Sequence, residues 1–407
     1  MQPPASCHRA QRARRPSRRA SAGFTLVEIM ITVIVASLVA AATFTFFAGQ
    51  QRVYDLQTKL VNVQQNVSMA MEMLVRFVRA AGDGMVECVR LDSDGAGPDT
   101  GAPAPVGPDM PLTAAPATGL RAYLSGVGNV RIPPLWITNG ANGAPDTLTV
   151  AFGNGTFGSW KDADLGAEIK AGKPNDPLRW PSSPAALDNI FKAGEFVVVM
   201  DTSSAPSRGF PYYNDRGCTL FEITGVDTAG DELLHASSSK WNPASSGAGA
   251  GMVPFDYPSG ATTAGIRDFG TLNWVRFAIR AGTATTPPAL TMERLDQGTP
   301  AEVLSDGIAD LQVAYACDSN PDDGVISDGP NKLADEWVLN ASGDAIPTNC
   351  QRPDAIRITL IARSLTPDVL LTQSTTNIKP AVEDGAAGAA ADQYRYRIMT
   401  TTVFPRN

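Results

Sequence analysis

Residues 24–48 read FTLVEIMITVIVASLVAAATFTFFA, and Glu28 is the only charged side chain among them. As a helix, this run rises about 37 Å, enough to cross a hydrocarbon core of ~30 Å. The helical pattern does not stop there. Beyond Gly49, apolar residues fall at Leu56, Leu60, Val63, Val67, Ala70 or Met71, Leu74, and Phe77 or Val78. Steps of three and four make one stripe on a helix. Arg52, Lys59, Gln65, Glu72, Arg76 and Arg79 take the other faces. No proline interrupts residues 24–81, and Gly82 and Gly84 supply a stop. The reading is one helix of about 57 residues, roughly 85 Å long. Its first half, residues 24–48, is apolar all round. Its second half, residues 49–82, has one face to lay on a folded body.

Upstream, residues 1–23 carry six arginines (Arg9, Arg12, Arg14, Arg15, Arg18 and Arg19) and no acid. A basic flank stays on the cytoplasmic side, so the rest of the chain is expected across the membrane. The remaining residues set 27 bases against 41 acids, a net charge of −14. A body this acidic argues against nucleic-acid binding through its overall field. A secretory signal peptide is the plainer reading of the N-terminus. Against it, the apolar run is too long for a signal core and continues into an amphipathic helix.

Gly23-Phe24-Thr25-Leu26-Val27-Glu28, set between a basic leader and an apolar run, resembles the class III signal of type IV pilins and pseudopilins. The resemblance implies that a prepilin peptidase cuts after Gly23, removing residues 1–23, and that the new amine of Phe24 is methylated. A carboxylate within the bilayer costs on the order of 3 kcal/mol, so Glu28 is expected to have a partner and a role. It lies four residues from Phe24, on the same face, within reach of that amine on its own chain or on a neighbour. The resemblance implies the neighbour pairing, which sets the register of subunits entering a filament.

Residues 83–407 read as a β-rich head. Strand signals fall at Leu120–Leu124, Thr147–Phe152, Glu195–Met200, Thr219–Val226, Leu272–Ile279, Ala289–Leu295, Leu311–Tyr315, Ile356–Ala362 and Tyr394–Phe404. In the strand around Asn273, Trp274, Arg276 and Ala278 alternate with Val275, Phe277 and Ile279. Arg357–Arg363 is apolar on both faces and reads as buried on both. No helices separate these strands, so an antiparallel sheet is expected. The fold class is therefore α+β: a long N-terminal helix, transmembrane then amphipathic, packed on an antiparallel head with long loops. Residues 92–118, 236–265 and 379–391 are rich in Pro, Gly, Ser or Ala, and read as surface excursions with no core-forming pattern.

The chain has two histidines, His8 and His235, too few for a histidine metal cluster. No nucleophile–base pair stands out, so no catalytic residues are expected. Removal of the leader discards Cys7 and leaves Cys88, Cys218, Cys317 and Cys350 in a compartment that permits disulfides. Four cysteines allow three pairings, and free buried thiols are the alternative. Cys317–Cys350 is favoured because it brackets an irregular acidic excursion between two strands, leaving Cys88–Cys218. Within that excursion Asp318, Asn320 and Asp322, with Asp328 beyond, have the oxygen spacing that opens an EF-hand loop. The glycine comes one place late, at Gly324, and Gly329 stands where the twelfth-position glutamate belongs. A solvated acidic loop is the preferred reading, with calcium the weaker candidate and no other cofactor expected. Gly153-Asn154-Gly155-Thr156-Phe157-Gly158 satisfies G-x-G-x-x-G but lacks a βαβ setting and reads as a turn.

Three stretches sharpen the resemblance: Val303–Tyr315, the strand Asp354–Arg363 and the ending Tyr396–Val403. Together with Gln64–Gly82 and Asp146–Val150, they resemble the PilW-type minor pilins. That resemblance implies a structural subunit rather than an enzyme. It implies storage in the bacterial inner membrane with the N-terminus cytoplasmic and the head periplasmic, followed by assembly into a surface pilus at or near its tip. The implied partners are the prepilin peptidase, other minor pilins, the major pilin and a tip adhesin. Motility, adhesion and DNA uptake are the implied settings. The same-class alternative is a J-type minor pseudopilin of type II secretion. A membrane-tethered enzyme or binding protein is the remote one.

Overall fold

The computed structural model describes residues 24–84, 90–91, 105–106, 109–111, 129–131, 134–155, 163–164, 166–169, 178–181, 187–201, 218–236, 241–242, 264–283, 285–316, 326, 336–338, 355–368, 371 and 377–404. Helix α1 runs unbroken from Leu26 to Ala80. By contact density the chain divides at Thr58 into two units. The first is the exposed part of α1. The second holds the rest of the helix and the whole head.

Two sheets receive the lower half of α1. Five strands, β1 (Leu135–Thr138), β2 (Thr147–Phe152), β3 (Asn273–Arg280), β4 (Ala289–Arg294) and β5 (Glu302–Asp306), form one sheet in the order β5-β4-β3-β2-β1. Four more, β6 (Ile308–Ala316), β7 (Trp337–Val338), β8 (Ala355–Arg363) and β9 (Tyr396–Val403), form the other in the order β7-β6-β8-β9. All pairings within both sheets are antiparallel. The chain passes from one sheet to the other at Gly307. Its φ of 82° turns the backbone there, and its amide donates to Pro288 O while its carbonyl accepts from Arg363 N. A side chain at φ > 0 would be strained at this crossing.

The helical stripe sits on both sheets at once. Val63, Val67, Ala70, Met71, Leu74 and Val78 are buried in one core with Leu148, Val150, Val275 and Phe277 of the first sheet. The same core takes Leu311, Val313, Ile356, Ile358 and Leu360 of the second. Phe77 stands edge-on to both Phe152 and Phe277. This is helix-on-sheet packing that closes a layer neither element could bury alone. The expected stripe holds from Val63 onward but not at Leu60, which is 45% exposed. Lys59 takes the contact there instead, donating to Pro367 O at 2.9 Å. Lys59 is the first residue of the second unit.

Thr147–Phe152 recurs unshifted, and most other expected strands recur with ends shifted by up to three residues. Thr219–Val226 divides into Cys218–Glu222 and Gly225–Asp227, and Leu120–Leu124 lies outside the described residues. β8 is buried on both faces, as its mixed apolar pattern implied.

The loops depart from expectation. Between β2 and β3 lies a second core. Phe196–Asp201 pairs with Cys218–Glu222 and with Ala264–Gly270 in a six-stranded sheet. A three-stranded sheet of Gly225–Asp227, Glu232–Leu234 and Leu178–Arg179 lies in the same region. Trp180, Phe191, Val197, Val199, Phe221, Leu233 and Ile266 form its interior. Asp109–Pro111, from the Pro-rich stretch, and Asn129–Arg131 extend the larger sheet. Its one parallel contact, Thr219 with Asp109, is the exception to the antiparallel rule among the described strands. The described parts of 92–118 and 236–265 thus include sheet strands.

The stretch 379–391 is also not a free excursion. Lys379 pairs with the fully buried Asp310 of β6, and Glu383 forms a two-pronged pair with Arg357 of β8 at 2.7 Å on each prong. The Ala386 amide donates to Gly143 O at 2.9 Å. The segment is a strap laid on the outer face of the second sheet. Its small residues let the backbone lie close: a Cβ on Gly385 would come within 2.9 Å of the Gln312 side chain.

Candidate functional site

The N-terminal half of α1 is the first candidate. Among the described residues it is the one helix long and apolar enough to cross a membrane. Every side chain from Phe24 to Asp55 is exposed, with Phe24 at 76% and Leu26 at 75%. In water such a surface is a liability. In lipid, or among like helices, it is the packing surface itself. Its polar residues turn inward on their own backbone: the Thr32, Ser37, Thr43 and Thr45 hydroxyls each donate to a carbonyl three or four residues back. The four hydroxyls are therefore satisfied within the span.

Glu28 closes the start of this helix. The Glu28 amide donates to Thr25 Oγ1 at 3.2 Å, and Glu28 Oε2 accepts from the Thr25 amide at 3.3 Å and from its hydroxyl at 3.4 Å. This reciprocal arrangement is a capping box, which satisfies two amides that a helix start leaves without partners. Threonine three places before a glutamate is a readable capping signal, and the sequence reading assigned Glu28 to the Phe24 amine instead. The structure places Phe24 one residue before the cap and leaves its side chain exposed.

Gly23, Cys7, Cys88, Cys317 and Cys350 lie outside the described residues, as do Asp318, Asn320, Asp322 and Asp328. Cys218 is described by its backbone, at the start of the strand Cys218–Glu222 opposite Met200. Of the glycine-rich run, Gly153 to Gly155 is described. The Gly155 amide donates to Phe269 O at 2.9 Å, and Asn154 Oδ1 accepts from the Thr271 amide at 2.6 Å. Its backbone groups are spent on a neighbouring turn rather than presented to a phosphate.

A second polar site lies where the two sheets meet. Asp146, just before β2, is fully buried. Its amide donates to Leu311 O, its Oδ2 accepts from the Val313 amide, and its Oδ1 accepts from the Gly140 amide, each at 2.8 Å. No described strand pairs with that edge of β6 at Leu311 to Val313, so Asp146 supplies the missing rung. Gln312 Nε2 donates to Ala144 O at 3.1 Å and to Asp310 Oδ1 at 2.9 Å, while its buried Oε1 has no donor. Gly143 meets the strap here at a φ of 73°, and a Cβ on it would come within 2.5 Å of the Ala386 nitrogen. The Asp146 carboxyl is pushed up to about 7, chiefly by burial and further by the nearby Asp384 and Asp310, against the amides of Gly140 and Val313. The sequence marks Asp146 only as the first residue of the Asp146–Val150 resemblance.

Two family models match the chain. Residues 18–44 match the prokaryotic N-terminal methylation motif, and residues 276–407 match the family described as Type IV Pilus-assembly protein W. The two matches support a PilW-like type IV pilin. No curated protein and no solved structure matches it. The C-terminal match covers most of β3 and all of β4 to β9. It takes in Val303–Tyr315, Asp354–Arg363 and Tyr396–Val403, whereas Gln64–Gly82 and Asp146–Val150 fall outside both matches. The second core also lies almost wholly outside them. Together the matches mark a minor pilin related to the type IV pilus and point to a structural component rather than an enzyme.

Proposed function

We propose that this PilW-like chain is a minor subunit of the type IV pilus that helps initiate assembly and sits at or near the tip. The carrying observation is the exposed apolar span of α1, opened by the methylation motif and continuous with a helix half buried in the head. One helix then has two successive environments, lipid before assembly and a bundle of like helices after it. The match to a pilus-assembly family favours a pilus over a secretion pseudopilus. A head enlarged by a second core suits a position that is not repeated along a lattice. The proposed partners are the prepilin peptidase, other minor pilins, the major pilin and a tip adhesin. The proposed orientation keeps residues 1–23 cytoplasmic and the head periplasmic until the subunit reaches the surface.

Processing gives the direct test. The mature chain is expected to begin at Phe24 with a methylated amine, read by mass spectrometry of the N-terminal peptide. An intact leader in a peptidase-competent host, or a different start, overturns the reading.

Glu28 gives a second test. Cleavage creates a cation at Phe24, close to the one acidic side chain of the span. In Glu28→Ala the span becomes more apolar, so membrane insertion should be normal. Loss of the cap should cost the helix start about 1 kcal/mol. Assembly should fall much further than that fraying explains. Thr25→Ala, which breaks the cap but leaves the carboxylate, separates the two effects. Equal piliation and equal co-purification with other minor pilins in Glu28→Ala and the parent would remove the pairing with the Phe24 amine.

A further inference from the structure

A sheet edge presents a row of unpaired amides and carbonyls, and folded chains usually close it or blunt it. Of the four edges in the two sheets that receive α1, three are treated this way. At β6, Asp146 fills the place beside Leu311 and Val313, and β7 pairs with Tyr315 and Ala316. β5 carries a register break against β4, and the helix holds its end: Ser305 Oγ donates to Asn66 O, and Asn66 Nδ2 donates to Asp306 O. β1 has only four residues and follows Pro133 and Pro134.

β9 is the exception. It runs for eight residues at the outside of its sheet, pairs with β8 through all of them without a register break, and contains no proline. The Ser364 amide donates to Arg395 O at 2.9 Å, which fixes the phase of the ladder. Arg397, Met399, Thr401 and Val403 therefore exchange bonds with β8, while the amides and carbonyls of Tyr396, Ile398, Thr400 and Thr402 point away from it. No described residue bonds to these outward backbone groups. The side chains beside them are open as well. Ile398 is 44% exposed, and Phe404, just beyond the strand, is 65% exposed. Nearby cations are committed, Arg395 to Asp368 and Arg357 to Glu383. Arg397, the one charged residue of β9, is exposed and has no acid partner among the described residues.

We propose that the free edge of β9 docks an extended acidic and apolar segment of another protein, which adds to the four-stranded sheet as a further strand and sets a carboxylate against Arg397. The outward backbone row selects a strand, because only another extended backbone satisfies alternating amides and carbonyls in line. Arg397 selects the charge, and Ile398, on the opposite face, selects an apolar neighbour. A second copy pairing through the same strand brings no acid, since β9 holds none, and leaves both arginines unmatched. One cation near the start does not close the edge, because the outward groups of Ile398, Thr400 and Thr402 lie beyond it. The site is built from the head alone and stands whether or not the chain enters a pilus.

The experiment uses the full mature chain in detergent and two synthetic peptides of alternating valine and threonine, one with a central glutamate and one with a central lysine. Hydrogen exchange is followed amide by amide. The glutamate peptide should protect Tyr396, Ile398, Thr400 and Thr402 and leave Met399 and Thr401 as they were. It should bind about fivefold more tightly than the lysine peptide, and Arg397→Glu should reverse that preference. Thr400→Pro removes an outward amide, keeps the ladder to β8, and should abolish the protection. No protection, equal binding of the two peptides, or protection that survives Thr400→Pro overturns the site. Protection of the same amides in the chain alone, rising with its concentration, would seat a second copy there and overturn the acidic segment. Should Thr400→Pro fail to fold, Arg397→Glu decides, because that side chain is exposed and the swap breaks no described ion pair. A reversed preference supports the site, and an unreversed one overturns it.

Discussion

Lys379→Met is expected to destabilise the head by about 3–5 kcal/mol, the scale of breaking a buried ion pair from one side. Asp310 is fully buried and takes its charge partner from Lys379, which is itself only 19% exposed. Methionine keeps the apolar stem and removes the ammonium, so the loss reports the charge left behind rather than packing. Gln312 Nε2 still donates to Asp310, but one neutral donor does not replace a cation. The double variant Lys379→Met with Asp310→Leu removes both charges and should recover a large part of the loss. Urea midpoints of the four proteins close the cycle. A single-variant loss below about 1 kcal/mol, the range of an exposed pair, would mean the strap is not seated on β6 in solution.

Leu74→Ala carries the other large effect. Leu74 is fully buried where α1 crosses both sheets, among the largest sealed side chains of the head. Truncation removes transfer free energy and leaves a cavity between a helix and two sheets, which cannot all move in to fill it. About 3–4 kcal/mol is expected, within the usual range for a core leucine. The effect is more than thermodynamic, because Leu74 joins the helix to the head. A weakened contact should raise proteolysis at the 82–84 turn before it unfolds the strands. Loss of less than about 1 kcal/mol, with unchanged proteolysis, would show that the helix does not share the head's core.

The helix and the strands around it were legible because each repeats a pattern over many residues. Val63 to Val78 recurs every three or four positions, and β2, β3 and β8 run for six to nine residues with clear faces. Two strands of the second core, expected at Glu195–Met200 and Thr219–Val226, were legible, but that they form a separate core was not, because the rest of its interior comes from short strands joined by irregular turns. Trp180, Phe191 and Leu233 belong to no period at all. The strap was misread for a different reason. Alanine and glycine look like filler, yet here they permit close backbone approach, and the pairing charges Lys379 and Glu383 are spread among them. Asp146 opens the stretch Asp146–Val150 that carries part of the resemblance, but nothing in one sequence shows that its carboxylate replaces a strand. Thr25 and Glu28 were readable as a cap.

Two excursions from the frame share one corner. The chain leaves it at Gly84, beside Gly153, and returns at Leu135, opposite Val150. It leaves again after Phe152 and returns at Asn273, which is the partner of Phe152 in the ladder. All four crossing points thus gather at the far end of β2. What hangs beyond them is cargo carried through a single doorway, and the frame closes its own ladders on the near side. Length and sequence can drift in the cargo without shifting the register of any strand that holds the helix. A lineage could therefore change what this head presents to the outside while keeping the part that fits among its fellow subunits.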